Sequence, residues 1–141
     1  MNLNKFWNTQ RYRECSLISI WNAAMWHGLD VQEQYDADYM RIIKTAGALT
    51  TDKKVKTRYL YMTLGLDPNP IPFEKQAVID NLPIQACVHS GSINHATLVV
   101  AYEDPHFLVA NFHQDSLRRV TWEELMAAVN HDIKLINWRK R

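Results

Sequence analysis

Apolar residues recur every three or four positions through the first half of the chain, which is the spacing of amphipathic helices. Gly28 follows the most apolar stretch and is typical of a helix C-terminal cap. Asp30 and Glu33 have the spacing of a capping box that begins the next helix. The pattern predicts three helices, over residues 15–27, 31 to about 46, and about 51 to 64.

The second half of the chain is rich in β-branched and aromatic runs separated by turn residues. A proline-rich stretch, Asp67–Pro72, divides the two halves and is interpreted as a linker. The run His95–Tyr102 is almost continuously apolar, which predicts a strand covered on both faces, and Glu103–Pro105 supplies a turn to an antiparallel neighbour. The sequence predicts strands over residues 84–89, 95–102, 106–112, 118–120 and 133–138, and helices over 73–80 and 121–129.

The 141 residues, of which 47% are hydrophobic, are enough for one sizeable core but not for two independent ones. We therefore expect a single domain over 1–141, with a helical half at about 1–66 and a sheet half at about 73–141. Because helices come first and strands follow as a meander, the predicted fold class is α+β. The N-terminal helices are expected to pack on a C-terminal antiparallel sheet.

Charge and cysteine content restrict the classes of function. Sixteen Lys and Arg against 15 Asp and Glu give a formal net charge of +1, which argues against non-specific coating of nucleic acid. Nucleic-acid binding through the basic C-terminus therefore ranks last. No apolar run reaches the roughly 20 residues of a membrane span, and the N-terminus lacks the apolar segment of a signal peptide. We expect a cytoplasmic protein with no membrane partner and with free thiols at Cys15 and Cys87.

Cys15 stands at the first position of the most apolar predicted helix. Unpaired backbone N–H groups and the helix dipole favour negative charge there, which suits a thiolate nucleophile. Such a nucleophile needs a base, and His95 at the start of the central strand is the best candidate. Asn111, near the end of the adjacent strand, is the candidate for holding the His95 imidazole in its reactive orientation.

In this order, Cys15, His95 and Asn111 resemble the reactive residues of papain-like cysteine peptidases, in particular the bacteriocin-processing type that cleaves after double-glycine leaders, and its stand-alone relatives. That type has a glutamine shortly before the cysteine, as Gln10 is here, and the resemblance covers most of the chain. It implies a papain-like fold and a thioester-forming attack of Cys15 on an amide of a peptide or protein substrate. Gln10 and the Cys15 backbone N–H would donate to the oxyanion, and no cofactor is required.

Several alternatives stay open at this point. The same residues also serve acyl transfer and deamidation, because the shape of the cleft decides which acceptor reaches the thioester. A papain-like domain without activity, used as a binding or structural module, is a second reading of the pattern. Cys87 lies in an apolar strand and is expected to be a core residue. No CxxC or HExxH pair completes a metal site around Cys87 and His89, so we expect no metal.

Overall fold

A computed structural model describes the chain at residues 2–11, 13–43 and 53–141. Its α-helices in these ranges are α1 (Cys15–His27), α2 (Tyr35–Asp38), α3 (Lys53–Leu64), α4 (Lys75–Asp80) and α5 (Trp122–Ala128). Its strands are β1 (Leu66–Ile71), β2 (Ile84–Ser90), β3 (Ile93–Glu103), β4 (His106–Ala110), β5 (Arg118–Val120) and β6 (Leu135–Lys140). A 3₁₀ turn over Leu3–Lys5 precedes α1, and a π-helical turn over Tyr39–Ile43 continues α2.

These strands form one sheet in the order β1-β6-β2-β3-β4-β5, and every neighbouring pair is antiparallel. Strands β2 to β5 are a meander, and β6 returns to the far side of β2, where it also pairs with β1. All five strands predicted in the second half are present. The predicted α+β class with an antiparallel sheet is therefore confirmed.

Helices cover both faces of the sheet, which explains the nearly continuous apolar character of β3. Leu98 and Val100 pack in one core with Leu17 of α1. Val99, which lies between them, packs in a second core with Leu125 of α5. Successive side chains of a strand point to opposite faces, so a strand covered on both sides needs an apolar residue at nearly every position.

Helix α1 has the bounds that the sequence predicts. Gly28 adopts a φ of 66°, the left-handed conformation that glycine tolerates best, and its N–H donates to the carbonyls of Ala24 and Met25. Every residue from Leu17 to Ala24 is buried, and the helix packs on β3. The first residue of α1 is therefore held in a fixed position relative to the central strands.

Helix α2 begins at Tyr35, four residues later than predicted. The expected capping box of Asp30 and Glu33 is wrong, because the residue before the helix makes no side-chain capping bond. A contact within the segment holds this stretch in a loop instead: the buried Asp38 carboxylate accepts a hydrogen bond from the backbone N–H of Gln32. The predicted end of this helix and the predicted start of the third lie outside the described residues.

The proline-rich stretch is strand β1 and not the linker that the sequence predicted. It pairs with β6 alone, so it forms one edge of the sheet. Proline has no N–H to donate and is tolerated in an edge strand where that side of the backbone faces away from the neighbour. Pro68 and Pro70 are two residues apart and share one side of the strand, which meets this condition. The sheet therefore begins at Leu66, earlier than the predicted sheet half.

The helices are short compared with the thickness of a membrane. A span needs roughly 20 apolar residues, whereas α1 has 13 and α3 has 12. Within the described ranges, no helix combines the length and the apolarity needed to cross a bilayer. The cytoplasmic location stays a prediction.

Candidate active site

A polar network holds the N-terminus of α1. Glu14, the residue before Cys15, is buried and accepts a hydrogen bond from the Tyr35 hydroxyl at 2.6 Å. Burial and the Glu14 carboxylate raise the pKa of Tyr35, so this hydroxyl stays a donor. Arg13 has a φ of 57°, which is uncommon for a residue with a Cβ. Together these features fix the direction in which the chain enters α1, and with it the position of the Cys15 sulfur.

The Cys15 thiol lies within interaction range of the His95 side chain, the backbone N–H of Ala96 and the side chain of Ser16, and all three favour its charged form. Burial alone would raise the pKa of Cys15. The hydrogen bond to His95, the Ala96 N–H, the His95 charge and the Ser16 bond together outweigh burial, so the pKa of Cys15 is lowered from its ordinary value. The partial positive charge at a helix N-terminus favours the thiolate as well.

The pKa of His95 is shifted in the opposite direction. Burial lowers it, but the hydrogen bond to Cys15, the backbone carbonyl of Asn111 and the charge of the thiolate more than compensate, so the pKa of His95 is raised. A thiol with a lowered pKa beside an imidazole with a raised pKa favours transfer of the proton from sulfur to nitrogen. The two residues can therefore form a thiolate–imidazolium pair.

His95 is oriented by the backbone of Asn111. Its Nε2 donates to the Asn111 carbonyl oxygen at 2.6 Å, which leaves Nδ1 to face Cys15. Asn111 directly follows β4 and has a φ of 57°, which turns its carbonyl out of the sheet ladder. A left-handed conformation costs a non-glycine residue about 1–3 kcal/mol, and asparagine is among the residues that adopt it most readily.

The side chain of Asn111 points to Gln10 instead of His95. Its Nδ2 donates to Gln10 Oε1 at 3.0 Å, while its Oδ1 is buried and has no hydrogen-bond partner among the described residues. Gln10 Nε2 donates to the backbone carbonyl of Arg11 at 2.7 Å. The structure thus joins all four predicted site residues in one series of contacts, from Cys15 through His95 and Asn111 to Gln10. The proposed oxyanion role of Gln10 stays a prediction.

His113 is a residue of this site that the sequence analysis missed. Its ring stacks on the ring of His95, with centroids 4.8 Å apart and planes inclined by 27°. Like Asn111, His113 has a positive φ, of 58°. The only available signal was its position two residues after Asn111, and the contact depends on a backbone turn that residue spacing does not reveal.

Two adjoining cavities lie beside these residues. The first, of about 390 Å³, is lined by Asn8, Gln10, Asn111, His113, Gln114 and Asp115. The second, of about 450 Å³, lies between the N-terminal segment 3–9 and the loop 115–117, with Glu33 and Gln34 in its wall. Asn8 and Asp115 line both cavities. The two cavities therefore form a polar cleft next to Asn111 and His113, two residues that contact His95.

Cys87 lies close to the same site. It pairs in the sheet with Ala96, whose N–H bonds the Cys15 sulfur, and it is partly buried. Burial raises the pKa of Cys87, the charge of Cys15 raises it further, and a hydrogen bond with Gln85 only partly offsets both. The site therefore holds one thiol whose pKa is lowered and one whose pKa is raised.

No family model and no curated protein sequence matches the chain. Solved structures do match. The peptidase domain of Streptococcus ComA, a bifunctional ABC transporter of a quorum-sensing pathway, is 14% identical, with 98% of this chain and 99% of that domain covered and a TM-score of 0.66. The peptidase domain of Streptococcus mutans ComA is 11% identical, with 96% and 98% covered and a TM-score of 0.56.

A third solved structure with the same fold comes from Vibrio parahaemolyticus. It is the N-terminal peptidase C39-like domain of a toxin-secretion ATP-binding protein, 11% identical, with 87% of this chain and 97% of that domain covered and a TM-score of 0.56. The three domains share with this chain an arrangement that extends over most of its length. The chain therefore has the papain-like α+β fold of the C39 peptidase domains, as its resemblance to double-glycine leader peptidases predicted.

Proposed function

We propose that this protein is a cysteine peptidase in which Cys15 is the nucleophile and His95 is the general base and acid. The observation that carries the proposal is the placement of Cys15 beside His95 at the N-terminus of α1. Their interaction lowers the pKa of Cys15 and raises the pKa of His95. Sulfur is nucleophilic as a thiolate, and this environment favours that form. The fold shared with known peptidase domains supports the same reaction class.

The reaction begins when the Cys15 thiolate adds to the carbonyl carbon of a substrate amide. The carbonyl oxygen then carries negative charge close to the N-terminus of α1. The first backbone N–H groups of a helix have no partner within the helix, so the Cys15 N–H is available as a donor. Gln10 would be a second donor, and its amide would have to release the Arg11 carbonyl to reach the oxyanion.

Collapse of this intermediate breaks the carbon–nitrogen bond. The departing nitrogen takes the proton of the His95 imidazolium and leaves as an amine, while Cys15 retains the acyl group as a thioester. Water then gives a proton to His95 and adds to the thioester carbon. The carbon–sulfur bond breaks, the carboxylic acid leaves, and the proton on His95 restores the initial pair. One water molecule is consumed for each amide bond cleaved.

Asn111 and the two cavities complete the proposed mechanism. The Asn111 carbonyl accepts from His95 Nε2 and so keeps Nδ1 directed at the sulfur while the proton moves. The cleft lined by Asn8, Gln10 and Asp115 offers amide and carboxylate groups along its walls. Such groups can hydrogen-bond the backbone of an extended peptide, and we therefore propose a peptide or protein substrate.

The test is the pH dependence of iodoacetamide alkylation at Cys15, measured by peptide mass spectrometry in the wild type and in His95→Ala. Cys87 is an internal control in the same tube, because its pKa is raised. We expect fast alkylation of Cys15 well below pH 8.5, the pKa of a free thiol, and loss of this reactivity in His95→Ala. Cys87 should react slowly in both proteins.

Two results would separate the alternatives. Slow alkylation of Cys15 that is indifferent to His95 would overturn the proposal and favour an inactive scaffold. If Cys15 is reactive, incubation with a peptide library distinguishes the reactions that a thioester permits. Hydrolysis divides a peptide into two products, whereas deamidation leaves its backbone intact and acyl transfer adds a new amine to the acyl fragment.

A further inference from the structure

The ring of His113 covers one face of the His95 imidazole, and the mechanism above assigns it no task. The two rings are 4.8 Å apart and nearly parallel. His113 itself is exposed and lines the cavity of about 390 Å³ together with Asn111. A ligand that enters this cavity would therefore pass the outer face of His113 while the inner face stays on His95.

The backbone between β4 and His113 is shaped to deliver this contact. Asn111 and His113 both have left-handed φ values, of 57° and 58°, although neither is glycine. The turn at Asn111 sets its carbonyl on His95 Nε2, and the turn at His113 sets its ring on the His95 face. Two unfavourable backbone conformations within three residues thus both serve the orientation of a single imidazole. Such conformations persist where the surrounding structure requires them, and they cluster at functional sites.

The surroundings of His113 favour its neutral form. Its partial burial lowers its pKa, and so do the charge of His95 from β3 and the charge of Arg118 from β5. The ring of Phe112 contacts His113 and carries no charge. Among the residues that line the cavity, Asp115 is the one carboxylate. At neutral pH, His113 is therefore an uncharged ring against a His95 whose own pKa is raised.

We propose that His113 is a positioning residue of the reactive pair: an uncharged imidazole, stacked on His95, that fixes the plane of the His95 ring and allows the proton to reside on it. This inference rests on the proposed function, because the pair that it supports is the one proposed to react. A neutral aromatic ring tolerates an adjacent imidazolium, whereas a second positive charge in ring contact repels it. A charge at position 113 would thus return the proton to sulfur and leave a neutral thiol.

The experiment compares three substitutions at this position with a matched control. His113→Phe keeps a neutral ring, His113→Lys introduces a fixed charge, and His113→Gly removes the ring and relieves the backbone strain. Gln114→Lys places the same charge on the neighbouring residue of the same cavity wall. For each protein, the pH dependence of Cys15 alkylation is measured, and the His95 titration is followed by NMR of its ring proton.

We expect His113→Phe to keep the alkylation profile of the wild type. His113→Lys should lower the pKa of His95 and slow Cys15 alkylation at pH 7 by at least about threefold, the equivalent of half a pKa unit. His113→Gly should also slow Cys15 alkylation, because the ring that stacks on His95 is lost. Of the two lysine variants, Gln114→Lys should slow it less than His113→Lys. Circular dichroism of each variant shows whether it is folded.

Three outcomes overturn the inference, and they differ from one another. If Cys15 is reactive and dependent on His95, but folded His113→Lys and His113→Gly both have the wild-type profile, then His113 does not position the pair and the proposed function stands. If wild-type Cys15 alkylates no faster than Cys87, the proposed function fails and this inference fails with it. A His113→Phe variant as slow as His113→Gly would also contradict the assignment, since it would show that stacking by a neutral ring is insufficient.

Discussion

The two cysteines of this protein are close together and partly buried to a similar degree, yet their thiol pKa values move in opposite directions. Burial raises both. Around Cys15, the His95 imidazole, the Ala96 backbone and the Ser16 side chain lower the pKa by more than burial raises it. At Cys87, the interaction with Gln85 lowers the pKa, but the charge of Cys15 adds to the effect of burial and raises it. Neighbouring groups and location at a helix N-terminus, and not depth, therefore distinguish the thiol whose pKa is lowered from the thiol whose pKa is raised.

The largest expected effect is the difference in peptide turnover between Cys15→Ala and Cys87→Ala. Cys15→Ala should reduce cleavage of any peptide that the wild type hydrolyses by at least about a thousandfold, because the nucleophile is gone. Cys87→Ala removes a thiol that the mechanism does not use and should leave turnover within about threefold of the wild type. The measurement is peptide cleavage followed by mass spectrometry, with thermal unfolding as the control for folding. Wild-type turnover in Cys15→Ala would contradict the assignment of the nucleophile.

A smaller effect is expected at Asn111, because its contact with His95 is made by the backbone. Asn111→Gly and Asn111→Ala both retain a carbonyl at this position, so the pH profile of Cys15 alkylation should be close to that of the wild type. The alanine variant should be less stable than the glycine variant by about 1 kcal/mol, because only glycine adopts a positive φ without steric cost. Chemical denaturation measures this difference. Loss of His95-dependent reactivity in both variants would show that the Asn111 side chain, and not its carbonyl, orients the imidazole.

The smallest expected effect is on Cys87 itself. The charge of Cys15 contributes to the raised pKa of Cys87, so Cys15→Ala should lower the pKa of Cys87. Burial is the larger cause and is unchanged, so this pKa should stay above its ordinary value. The pH dependence of Cys87 alkylation in the two proteins measures the change. An unaltered profile would show that the two thiols are electrostatically independent.

Features set by neighbours in sequence were predictable. The helix predicted from residue 121 is present as α5, which begins at a capping box of Thr121 and Glu124. Gly28 caps α1 as predicted. The coverage of β3 on both faces was predictable from its continuous apolar run. Cys15 could be proposed because a helix start is a local signal, and α1 does begin there. His95 was proposed as the start of the central strand, but β3 begins two residues earlier, at Ile93.

Features set by distant parts of the chain were not predictable. Strand β1 exists because the C-terminal strand β6 pairs with it, and two prolines concealed this pairing from a local interpretation. His95 contacts the carbonyl of Asn111 and not the Asn111 side chain. This contact depends on the positive φ of Asn111, which cannot be predicted from the sequence. The stacking of His113 depends on a second such residue. In each case tertiary packing selected a conformation that local preference disfavours.

The composition of the two sheet edges has a consequence for self-association. An open edge offers a row of free backbone donors and acceptors to which a strand of another molecule can add. In β1 two of the donors on the outward side are missing, because Pro68 and Pro70 have none. At the opposite edge, β5 is only three residues long and carries Arg118 and Arg119. One edge is deficient in donors and the other is short and positively charged, so the sheet resists growth into intermolecular β-structure from either side.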